Sequence, residues 1–201
     1  GAPGVRLCFV PKPDKDSTAL REGSVDLETG VVGKTAAPEL RVQALFRDRF
    51  IGVVRMGHPL GQEEITPARY AAGRHVFVSR RGLDRGPIDE ALHSLGLARE
   101  VVTIVAGFST ALALARASDL IASVPERHTG NLRAGMHSFP LPVPTPEITV
   151  SMLWHPRMDA DQIRLQRHLV RHQLVEGREC FLRERGQGGG QNEPRRHEGT
   201  K

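Results

Sequence analysis

Three short apolar runs separated by helix-like segments constrain this chain more than any other feature. HVFVS (75–79), VVTIVAG (101–107) and DLIASVP (119–125) have strand length and are rich in β-branched residues. Between the first two, PIDEALHSLGL (87–97) places Ile88, Ala91, Leu92 and Leu95 at helical spacing and stops at Gly96. FSTALALARAS (108–118) reads as a second helix. Strands alternating with helices predict a βαβαβ unit, and hence a mostly parallel sheet covered on both faces. The nearly unbroken β-branched run of VVTIVAG reads as a strand buried on both sides, and DLIASVP as another.

The flanking segments are also strand-like. VRLCFV (5–10), VDLETGVV (25–32) and ITVSMLWHP (148–156) read as strands, and LRVQALFRDRFIGVVRMGHPL (40–60) as two consecutive ones. Ser17 caps a short helix that Gly23 stops, and ITPARYAAG (65–73) is a helix bounded by Thr66 and Gly73. TGNLRAG (129–135) is a further short helix, and Asp159 or Asp161 caps a last one running to about Glu184. The proline-rich HSFPLPVPTP (137–146) reads as an extended return hinge. The expected organisation is α/β and two-lobed: 1–74 with 144–185 as a first lobe, 75–143 as a second, and 186–201 as a disordered Gly-rich tail. An inserted lobe with two chain crossings makes a hinge, and a hinge makes a ligand cleft.

With 39% hydrophobic and 25% charged residues, the 201-residue chain can bury the core of one medium domain or two small lobes. No apolar run reaches the roughly 18 residues of a membrane helix. The opening GAPGVRLCFV lacks a secretory pattern and leads almost directly into a strand, so a fragment of a longer protein is expected. Cys8 and Cys180 allow one long-range disulfide, but two free thiols in a reducing compartment are expected. The net charge of +5 suits a nucleic-acid partner, yet basic and acidic residues are interspersed and aromatic residues make up only 4%.

Two loops carry the candidate site. In VSRRGLDRGPIDEAL (78–92) a strand ends on Ser79, Arg80, Arg81 and Gly82 before a helix opens at Pro87. The glycines match neither GxxxxGK[ST] nor GxGxxG, which argues against nucleotide hydrolysis. Arginines beside a helix start fit a carboxylate, the alternative being a solvated basic turn. In VAGFSTALALA, Gly107, Phe108, Ser109 and Thr110 repeat the strand–loop–helix geometry, and the hydroxyl pair either binds a ligand or caps the helix. His168 and His172 share a helix face without a third metal ligand. No GxSxG elbow, Cys/His dyad or calcium-loop order is present. The chain is therefore read as a non-enzyme with no cofactor and no metal.

The order of these motifs resembles the effector-binding region of LysR-type transcriptional regulators. Leu20, Arg21, Gly23, Asp26, Leu27 and Gly30 follow that family's L-R-x-G-x-x-D-L-x-x-G phrase. Leu45, Arg47, Asp48, His58, Pro59 and Leu60 follow its next phrase, and the run from Ala115 to Pro125 a third, with Asp119 where the family often has glycine. The resemblance spans roughly residues 4–175. It implies the type 2 periplasmic-binding-protein fold, with an effector cleft lined by Pro11, Lys12, Ser79, Arg80, Arg81, Gly82, Gly107, Phe108, Ser109 and Thr110, and with Pro125 near the hinge.

It further implies a cytoplasmic protein that forms a homodimer or tetramer. A small-molecule effector, with carboxylates as one fitting class, would shift the relation of the lobes. DNA would be contacted only through a winged helix-turn-helix outside these residues, and no membrane would be involved. The family's usual first strand and helix are also not recognised before GVRL, so the first lobe is expected to lack a central strand and one wall of its pocket. A solute-binding protein of a transport system, with the same fold, is the alternative.

Overall fold

The computed structural model describes residues 6–11, 17–32, 38–79, 82–159 and 180–185. Lys12, Arg80, Arg81, His168, His172, most of the expected last helix and the tail lie outside them. The strands are β1 (Arg6–Pro11), β2 (Leu27–Val31), β3 (Arg41–Asp48), β4 (Phe50–Arg55), β5 (Arg74–Val78), β6 (Glu100–Val105), β7 (Leu120–Pro125), β8 (Met136–Pro140), β9 (Ile148–Trp154) and β10 (Cys180–Arg185). The helices are α1 (Thr18–Glu22), α2 (Pro67–Ala71), α3 (Pro87–His93) and α4 (Phe108–Ala117).

Among the described residues these strands form two five-stranded sheets, in the orders β1-β10-β2-β9-β3 and β6-β5-β7-β4-β8. The second is packed on both faces, as the alternation of its strands requires. Ile51, Val53, Val76, Ala122 and Val124 meet Ala111, Leu112 and Ala115 of α4. Val54, Ile121 and Phe139 turn to the other face, against Tyr70 and Ala71 of α2 and Ile88 and Leu92 of α3. Gly52 has no room for a side chain, because a Cβ there would stand 2.2 Å from the Phe139 ring. The first sheet has smaller clusters around Leu27, Met152 and Trp154 and around Leu20, Val25, Leu40 and Leu153.

Several expectations are corrected. The sheets are not mostly parallel: in the second, β5 runs parallel to β6 and β7 whereas β4 is antiparallel to β7 and β8, and among the described residues every pairing of the first sheet is antiparallel. β6 is an edge strand rather than a strand buried on both sides, and its Ile104 is exposed. β4 and α2 belong with the second sheet, so the first crossing falls at Asp48–Phe50 and not after residue 74. The segment 180–185 is strand, not the end of a helix. It lies between β1 and β2, inside the sheet of the lobe expected to lack a central strand, paired over six residues with β1 but over two with β2. In that register Cys180 pairs with Pro11 and Cys8 with Arg183.

Candidate functional site

The parallel strands β5, β6 and β7 end together at Val78, Val105 and Pro125, and β4 starts beside them, with Phe50 opposite Pro125. In the first sheet Asp48 at the end of β3 faces Ile148, and Val31 at the end of β2 faces Val150. Pro11, opposite Cys180, closes β1 at that same end. β3 passes through Arg49 into β4, so the end of β3 in the first sheet and the end of β7 in the second lie at one junction.

Ser79, at the end of β5, already has partners. Ser79 donates its N–H to Val105 O at 2.9 Å, and its Oγ accepts the N–H of Leu83 at 2.9 Å. Gly82 adopts the left-handed conformation at φ 68, open to solvent. The start of α3 is not a free anion site. Pro87 has no N–H to offer, and Asp89 accepts the Gly86 N–H at 2.8 Å. Arg99 grips the same carboxylate at 2.7 and 3.0 Å, and its side chain is 1% exposed. The guanidinium also donates to the Tyr70 hydroxyl at 3.3 Å and lies over the Phe77 ring. Burial opposes ionisation of Asp89, but the hydrogen bonds and charge of Arg99 outweigh it and hold the carboxyl below its ordinary value.

The loop after β6 is different. Gly107 precedes α4 in extended conformation, no side chain caps the helix, and no acid lies in its first turn. Ser109 and Thr110 are exposed there, so their hydroxyls are not consumed by capping. Phe108, half-buried, packs onto the core beneath α4.

The turn after β7 is the part that sequence reasoning missed. The Asp48 carboxylate, 4% exposed, accepts backbone N–H bonds from Arg49 at 2.8 Å, Arg127 at 2.9 Å and His128 at 3.0 Å. Arg127 lays its guanidinium over the Phe46 ring, 4.9 Å from the centroid. Arg133 secures the turn from the other side, bonding Glu126 O, Thr129 Oγ1 and Ser138 Oγ. The only signals in sequence were the acid of RDRF and the histidine of VPERH, whose partners lie about 80 residues away.

Of the expected lining, Ser79, Gly82, Gly107, Phe108, Ser109 and Thr110 thus lie at adjacent strand ends of the second sheet, and Pro11 at the matching end of the first. Among the described residues no group of three His, Cys, Asp or Glu is placed to hold a metal, and no helix is long and apolar enough to cross a membrane.

The LysR substrate binding domain family matches residues 2–174. The HTH-type transcriptional activator NahR of Pseudomonas putida is 29% identical over 149 residues, covering 71% of this chain and 48% of NahR. The chain thus spans about half the length of the relatives it matches. A probable transcriptional regulator, PA0477 of Pseudomonas aeruginosa, superposes with a TM-score of 0.66 at 29% identity, over 78% of this chain and 54% of that one. The effector binding domain of QuiR, solved in complex with shikimate, shares the fold at a TM-score of 0.59 and 16% identity, over 77% of each chain. The type 2 periplasmic-binding-protein fold expected from the sequence is the fold these domains have.

Proposed function

The chain belongs to the LysR substrate-binding domain family, and we propose that it senses a small-molecule effector at the junction of its two sheets. The lobes are then residues up to Asp48 with β9 and β10, and residues from Phe50 to Pro140. The effector lies between them, against the loops after β5 and β6 and the end of β1. In this reading the full protein is a cytoplasmic transcriptional regulator that assembles as a homodimer or tetramer and has no enzymatic activity. It contacts DNA through a separate helix-turn-helix domain, as the names of its relatives support.

One observation carries the reading: the uncapped start of α4, with exposed Ser109 and Thr110, stands beside the end of β5 at the junction. Free N–H groups and hydroxyls at a helix start favour an anionic group, which makes a small carboxylate the favoured effector. The fold holds shikimate in QuiR. A screen of small carboxylates by thermal shift tests this. A binding acid raises the melting temperature, and replacing Ser109 and Arg80 with Ala removes the rise by mass action. A rise that survives both substitutions rejects the assignment of the edge.

A further inference from the structure

β3 ends at Asp48 and β4 begins at Phe50, so a single residue, Arg49, links strands of different sheets. Backbone rotation at so short a link would by itself let one sheet swivel against the other. The turn after β7 opposes that rotation, because each of residues 46–49 holds it. Arg127 covers the Phe46 ring, and its Nη1 donates to Arg47 O at 3.4 Å. The Asp48 carboxylate accepts the N–H groups of Arg127 and His128. The Arg49 guanidinium donates to Glu126 at 2.7 Å, and Arg49 O accepts the Glu126 N–H at 2.9 Å.

Both ends of this attachment are themselves fixed. Thr129 Oγ1 donates to Pro125 O at 2.6 Å, and Arg133 joins the turn to Ser138 on β8, so the turn belongs to the second sheet. Phe46 pairs with Val150 and Asp48 with Ile148, which sets β3 in the first. The second crossing is stiff as well. Leu141 and Val143 pack on the core of the second sheet, and Pro144 and Pro146 restrict the backbone before β9 begins at Ile148.

The attachment is firm at one point and light at two. Asp48 is buried and bonded through its carboxylate, the stronger kind of hydrogen bond. The Arg49 and Glu126 side chains are 62% and 39% exposed, and an exposed ion pair contributes little alone. Arg127 is exposed too, and a cation over a solvated ring is also modest. Glu126 reaches Arg49 and Arg127 reaches Phe46, so the two light contacts flank Asp48 along the chain. One point of attachment lets a body rotate, whereas a point with a contact on each side does not.

We propose that residues 126–128 form a releasable brace between the two sheets, with Asp48 as its pivot and the Glu126 and Arg127 side chains as struts that set the resting angle. The inference goes beyond the effector reading and does not depend on where an effector lies. A ligand or partner that turns one sheet against the other has to open a strut, while the pivot stays made.

Residual dipolar couplings of backbone amides, recorded on the whole chain in a weakly aligned medium, test this. Couplings from β3 and β9 and from β5, β6 and β7 are expected to fit one alignment tensor in the wild type. Glu126→Ala combined with Arg127→Ala removes both struts and keeps the backbone N–H groups on Asp48. It is expected to split the couplings into two sets with tensors of different magnitude, one for each sheet. The melting temperature falls by no more than about 8 °C, because both lost contacts are exposed. Phe46→Leu combined with Arg49→Ala cuts the same struts from the β3 side and is expected to give the same split. A single tensor in either double variant means that the pivot and the crossings set the angle unaided, and overturns the struts. Two tensors already present in the wild type overturn the brace.

Discussion

The carboxylate of Asp48 accepts the backbone N–H of His128 at 3.0 Å across a sequence separation of 80 residues. With the N–H groups of Arg49 and Arg127 on the same carboxylate, this ties the crossing between the sheets to the turn that carries His128. The Arg49–Glu126 ion pair at 2.7 Å and the Arg127 guanidinium over the Phe46 ring fasten the same crossing to the same turn.

Asp48→Ala leaves these N–H groups without their acceptor and is expected to cost about 3 kcal/mol of stability, with Asp48→Asn costing less because one oxygen remains. Hydrogen exchange locates the effect. Amides of Arg127 and His128 both lose protection in Asp48→Ala and one of the two does in Asp48→Asn, while those of β5 and β6 keep theirs. Unchanged protection at Arg127 and His128 contradicts the role given to Asp48.

The Asp89–Arg99 pair is buried beside Tyr70, whose hydroxyl also bonds Ser123 Oγ at 2.8 Å. Arg99→Met strands the Asp89 carboxylate and is expected to cost about 3–5 kcal/mol in chemical denaturation. Combining it with Asp89→Asn removes the stranded charge and keeps the cap on Gly86, so most of that loss returns. A double variant as unstable as the single one means that Arg99 acts through packing on Phe77 and not through charge.

His75 gives the fold a defined acid sensitivity. Its ring is fully buried, its Nε2 lies 2.8 Å from Tyr70 O, and burial, with the charge of Arg99 adding to it, pushes its pKa down to about 4. Above its ordinary value near 6.5 the ring is neutral in both folded and unfolded states. As pH falls from there toward 4 the unfolded chain gains a proton that the folded one does not, which lowers stability by about 3 kcal/mol in total. His75→Gln keeps a donor for Tyr70 O and does not titrate, so its urea midpoint stays flatter across that window. The depressed carboxyl of Asp89 adds its own loss below that, as pH falls through the ordinary carboxylate range. Parallel profiles for wild type and His75→Gln refute the assignment.

What was legible in the sequence was local. The strands and helices of 75–125 and the Thr66 cap of α2 follow from spacing, glycine stops and β-branched runs. What was not legible depended on distant partners. A run such as VVTIVAG is equally compatible with the centre or the edge of a sheet, and only the strand order puts β6 outermost. The segment 180–185 is a strand because it pairs with β1, at the other end of the chain. Ser79 and the α3 start looked like open anion-binding groups, whereas Leu83 and Asp89 already use them. Asp48, Phe50 and His128 acquire their arrangement only once the two crossings meet.

The strand order also sets a timetable for synthesis. Every strand of the second sheet lies between Phe50 and Pro140, so that sheet is complete as soon as this continuous stretch has left the ribosome. The first sheet joins Arg6–Pro11 to Cys180–Arg185 and so waits for residues translated after the second is finished. In a chain that folds as it emerges, the second sheet sets first. The half with the two-residue seam between β10 and β2 is then assembled against an already folded neighbour.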